Sequence, residues 1–138
     1  MQLAVGVEWP RLAALQANFG FKLASGSLLA AFLSFQWLLA LCRSQGWTRA
    51  AKPLYAAHQL AGSLAPLLFF LHSTRLGFGY LTALSLVYLG NHAAALVQPS
   101  AQGRWKSWSS SWLVTHIALS LVLVALAGYH AWTALYYE

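Results

Sequence analysis

The chain has 138 residues, 59% hydrophobic and 7% charged, with a formal net charge of +6 and a mean hydropathy of +0.58. So little charge over so much apolar sequence excludes a soluble globular domain and points to an integral membrane protein. The basic residues sit in separate short stretches beside apolar runs, so they report membrane topology rather than a nucleic-acid partner.

Four uncharged intervals follow one another: 20 residues between Lys22 and Arg43, 22 between Lys52 and Arg75, 28 between Arg75 and Arg104, and 31 between Lys106 and Glu138. A helix needs about 20 apolar residues to cross the hydrocarbon core, so each interval holds one span. The expected fold is therefore all-α: an integral membrane four-helix bundle with short loops over residues 22–138, preceded by an N-terminal interfacial segment at 1–21.

No basic stretch with a small-residue cleavage site opens the chain, so its first residues are expected to remain in the mature protein. Pro10 at a first helical position, followed by Leu12, Leu15 and Phe19, predicts a short amphipathic helix at the membrane surface, with a partly ordered tail as the other reading. The first span runs from about Leu23 to Leu41. Its small residues Ser25, Gly26, Ser27, Ala30, Ala31 and Ser34 admit a close neighbour, either a packed helix, the default, or the flat face of a macrocycle. After a basic loop from Arg43 to Lys52, Pro53 opens the second span at a first-turn position, and Pro66 should kink it midway. Arg75 closes a short turn. The third span then runs from Leu76 to about Val97 and contains His92. A polar loop with Arg104, Trp105, Lys106 and Trp108 leads to the fourth, Trp112 to Tyr137. Its end, with Tyr129, Trp132, Tyr136 and Tyr137, has the composition of an interfacial aromatic belt.

Five basic residues flank the first and third loops (Arg43, Arg49, Lys52, Arg104, Lys106) and three the opposite side (Arg11, Lys22, Arg75). The positive-inside rule places those loops in the cytoplasm and both termini outside. The single Cys42 has no partner for an intrachain disulfide. No C-x-x-C-H occurs, which excludes the covalent c-type haem signature, and G-x-G-x-x-G and P-loop patterns are absent.

The histidines carry the chemistry. His58 and His72 are 14 positions apart on the second span, and His116 and His130 are 14 apart on the fourth. On a straight helix that interval is about 21 Å of rise and about 40° short of four turns, so each pair shares a face. Spans two and four run in the same direction, which sets His58 level with His116 and His72 level with His130. Paired neutral imidazoles suit six-coordinate iron in a porphyrin, giving two non-covalent b-type haems with bis-histidine ligation. The bland alternative is that the rings merely hydrogen-bond between helices, but a desolvated polar ring needs a partner, and four at matched intervals favour ligation. Zinc would instead gather four protein ligands at one point. Arg75, three residues after His72, is placed to neutralise a haem propionate, as Arg49, Lys52, Arg104 or Lys106 are at the other level; plain interfacial flanking competes for all of them. His92 could contact a quinone, a propionate or iron, or make a polar interhelical contact, which is the default.

Four helices with ligands on the second and fourth, and H-x13-H on both, resemble the di-haem core of cytochrome b in quinol-oxidising bc-type complexes. They also resemble the ferric-reductase-like transmembrane domain. The run from His58 through QLAGSLAPLLFFL to His72, with Gly62 four residues after the first ligand, and WLVTH ending at His116, are similar to the second family; HSTR, from His72 to Arg75, is similar to the first. Bc-type cytochromes place paired glycines on the non-ligand helices, whereas here Gly26 goes with Ala40 and Gly79 with Ala93. Ferric-reductase relatives usually add helices, and many add a flavin domain.

The resemblance implies a di-haem cytochrome in a membrane such as the bacterial inner membrane, carrying electrons across it as a subunit or partner of a redox complex. Its partners would be other redox subunits, a soluble electron carrier or a quinol. The alternatives are a quinol or metal reductase with its own substrate site near His92, and a non-haem membrane scaffold.

Overall fold

Apolar side chains fill the long helices, and the few polar ones decide where the helices start, stop and lean on one another. The computed structural model describes residues 9–73, 75–97 and 106–137, with side chains in the last segment described from 110 onward. The described residues form six helices and no strand: α1 (Pro10–Ala17), α2 (Phe19–Ser44), α3 (Thr48–Ser63), α4 (Ala65–His72), α5 (Tyr80–Leu96) and α6 (Lys106–Tyr137). Residues 1–8 of the expected interfacial segment, Arg104, Trp105 and the side chains of Lys106 and Trp108 lie outside what is described.

The helices α2 and Ser110–Tyr137 of α6 are long and apolar enough to cross a membrane, with mean hydropathies of 1.6 and 1.9. Bent by 43° at their junction, α3 and α4 form a third if the pair is one span. The expected third span, α5, has 17 residues, about 25 Å of helix against a hydrocarbon core of about 30 Å.

Two units make up the chain, Met1–Arg75 and Leu76–Glu138. In the first, Pro10 lies in the first turn of α1, where a missing N–H removes no helical bond. Asn18 ends α1 with extended backbone and at once caps α2, its Oδ1 accepting from Phe21 N–H at 3.1 Å. The first span thus begins at Phe19, four residues before the expected Leu23. The buried stripe of α1 is Leu12 and Gln16, while Leu15 and Phe19, expected on that face, are exposed. Gln16 is 2% exposed and donates from Nε2 to Phe70 O at 2.8 Å and to Leu71 O at 2.9 Å. Those carbonyls belong to the last turn of α4, where no helical N–H remains to serve them.

The α2–α3 connection is shorter than expected. Trp47 N–H bonds Cys42 O at 2.9 Å and Gly46 N–H bonds Arg43 O at 3.1 Å, with Gly46 at φ 70°: a glycine-terminated helix end. α3 resumes at Thr48, so Pro53 lies inside the helix rather than opening it. Near the start of α3 its missing N–H removes one bond, to the Arg49 carbonyl. Pro66 acts as expected. Its ring opposes the Gly62 carbonyl, and the helix breaks at Leu64.

The second unit opens later than expected because Gly77 and Gly79 have φ 81° and 59°, which stops helix propagation back to Leu76. A Cβ at Gly77 would collide with the Leu81 side chain. Thr82 Oγ1 donates to Gly77 O at 2.7 Å and Ser85 Oγ to Leu76 O at 2.9 Å, folding the connection onto α5. Three polar rungs then tie α5 to α6: Trp112 Nε1 to Ala94 O at 2.6 Å, Asn91 Nδ2 to Ser120 Oγ at 3.1 Å, and Tyr80 OH with Thr133 Oγ1 at 2.9 Å. The α5 positions fall as the α6 positions rise, so the pair is antiparallel.

Gln16→Leu keeps the bulk of the side chain but strips both α4 carbonyls of their donor. It should lower thermal unfolding stability in detergent by about 1–3 kcal/mol, whereas Leu15→Gln on the exposed side should leave it unchanged within about 0.5 kcal/mol.

Candidate functional site

All five histidines are half-buried, and each of the four matched ones is set by a different local device. His72 is the last residue of α4. Its Nδ1 lies 3.0 Å from Ser25 Oγ on α2, and a Cβ at Gly26 would stand 3.1 Å from its Cε1. Small residues here are what let the ring lie against α2, so at this point the Ser25–Gly26 stretch serves packing. Ser27, Ala30, Ala31 and Ser34 are exposed.

Ser25 Oγ is also bonded to the backbone, donating to Phe21 O at 2.8 Å, so it links the His72 ring to the preceding turn of α2.

His58 lies in the middle of α3, its ring against the backbone of Gln36 on α2 and its Nδ1 withdrawn from solvent. Gln36 adds an amide whose Nε2 and Oε1 are both buried and unbonded. A Cβ at Gly62, one turn after His58, would stand 3.9 Å from that Nε2. Between His58 and His72 comes the 43° bend, so the straight-helix interval does not describe this pair.

His116 and His130 share the unbroken α6, where 14 positions keep their rise of about 21 Å. The His116 ring stacks on Trp112, one turn earlier, at 5.5 Å and 2° between planes, and Trp112 is itself anchored to Ala94 of α5. Tyr80 of α5 approaches the His130 ring at 6.4 Å, tilted by 49°, while packing edge-on against Tyr129 at 5.0 Å. Thr133 Oγ1, bonded to Tyr80, also donates to His130 O at 2.9 Å.

Arg75 is exposed, its carbonyl accepting from Ser73 Oγ in the turn after α4. Arg49 and Lys52 are exposed on α3. His92 lies half-buried on α5, next to Asn91, which donates to Ser120 Oγ of α6. Among the described residues no group of three or more His, Cys, Asp or Glu side chains gathers as a zinc-type site would require. Sequence reasoning missed Gln36 and Gln16, and read Ser25 only as a small residue that admits a close neighbour. An amide inside an apolar span was the available signal for Gln36.

No protein-family model, curated protein or solved structure matches the chain.

Ser25→Ala removes the contact to His72 Nδ1, so it should shift the His72 imidazole ¹⁵N resonances and lower stability by about 0.5–1.5 kcal/mol.

Proposed function

We propose that the protein is a b-type di-haem membrane cytochrome that carries electrons across the bilayer within a redox assembly. The observation that carries this reading is the repeated 14-residue interval of imidazoles, each half-buried in helices dominated by apolar residues. Isolated packing histidines have no reason to recur at one interval in two segments, and desolvated imidazole is costly without a strong partner.

The donor set suits the group. Neutral imidazole is a strong iron ligand, and the Ser25 contact holds the His72 ring by its Nδ1 side. His58 and His116 would hold one haem, His72 and His130 the other, with Arg75 toward a propionate of the second. Each bound iron would supply reversible one-electron transfer. The chain's own part is to hold the imidazoles in one tautomer, keep water away and set the potential through burial and hydrogen bonds to the rings. The Ser25 contact orients His72, and the Trp112 stack fixes the plane of His116.

The same reading makes the chain a four-span protein of a bacterial inner membrane. The bent α3–α4 pair would be the second span and α5 the short third, with the first loop cytoplasmic and both termini outside. The five-to-three distribution of basic residues supports that orientation. In a Cys42→Ser background, Gln45→Cys should react with a membrane-impermeant maleimide only from the cytoplasmic face, and Phe78→Cys only from the opposite one. Labelling of both from one face would remove the four-span topology.

Purified protein should show a reduced-minus-oxidised b-type spectrum and a pyridine haemochrome near two per chain. His58→Ala or His116→Ala should each reduce that to about one, abolishing the same spectral component, and His72→Ala or His130→Ala should abolish the other. A preparation that stays colourless after haem reconstitution, or four variants with unchanged spectra, would refute the assignment.

A further inference from the structure

The Gln36 carboxamide is a buried amide with neither atom hydrogen-bonded, halfway down an apolar helix. Leaving such a group unsatisfied costs about 1–3 kcal/mol, and a leucine would fill the space without that penalty. Its surroundings show what it is near. The His58 ring is hydrogen-bonded to the Gln36 backbone, and Gly62, four residues after His58 and so on the same face of α3, lies against the Gln36 amide nitrogen. At the other matched histidine of this unit, His72, a side-chain oxygen of α2 already lies within hydrogen-bond distance of the ring Nδ1. Gln36 is the residue of α2 whose backbone meets the His58 ring, and its side chain is polar.

We infer that Gln36 is the positioning residue for His58: with one ring nitrogen bound to iron, its Oε1 accepts the N–H of the other. This rests on the di-haem reading. A hydrogen bond accepted from a ligating imidazole makes the ring more electron-donating and so favours the oxidised metal. Losing it raises the reduction potential. The competing arrangement is that the Gln36 backbone carbonyl alone orients the ring, in which case the side chain has no effect.

The test is a redox titration of the full-length protein in detergent, followed by optical and low-temperature electron paramagnetic resonance spectra, with haem content measured alongside. Gln36→Met, matched in length and without an acceptor oxygen, should raise the potential of only the component that His58→Ala abolishes. The expected shift corresponds to up to about tenfold in the reduction equilibrium, about 59 mV for one electron. Gln36→Glu keeps an acceptor oxygen and should hold that potential or lower it. Loss of the one haem in Gln36→Met with retention in Gln36→Glu would support the same role. Two haems with unchanged potentials in both variants would overturn the inference while leaving the di-haem reading intact, as would loss of the haem in both. Haem-free wild-type protein would overturn both together.

Discussion

Inside hydrocarbon no water stands ready to complete a hydrogen bond, so every polar group in a span must find its partner in the protein. That constraint organises each unit. In the first, the carbonyls at the end of α4 are served by Gln16 of α1, and the imidazole that follows them by Ser25 of α2. In the second, the α5–α6 pair is laced by the Trp112, Asn91 and Tyr80 contacts. Apolar surface offers helices in a bilayer little reason to prefer one register over another. These few directional bonds supply the register.

The same constraint bears on the proposed chemistry. Ligation needs each ring held in one orientation, and the two units hold theirs with different contacts. α2 presents a hydroxyl to His72, whereas α6 brings its own Trp112 to lie parallel to His116. On the di-haem reading, environments so unlike each other would give the two irons different potentials, a gradient that transfer across a membrane can use. The bend between His58 and His72 adds a further asymmetry absent from α6.

Much of the helical content and the histidine pattern was legible in the sequence, because hydropathy and spacing are local properties. The break at Pro66 was legible for the same reason: a missing N–H acts on its own helix wherever that helix packs. Boundaries set by side chains were harder. Pro53 looks like a helix start, but the glycine-terminated end at Gly46 lets α3 resume at Thr48. Leu15 and Phe19 look like the packing face of α1, yet that face is claimed by Gln16, whose partners lie 54 and 55 positions away. Leu76 looks like the start of a span, but two left-handed glycines hold the chain open until Tyr80. In each case a contact between distant residues, or a backbone conformation, outweighs composition.

Asn18 closes one helix and caps the next within a single residue, so the joint has no slack. Gln16 and Ser25, on either side of it, both grip the final turn of α4. An inserted residue would rotate one grip by about 100° relative to the other, and they could no longer close together. Side chains in this stretch can drift as long as bulk and polarity are kept, but the count between the two grips is fixed, as in a clasp whose halves are cut to one length.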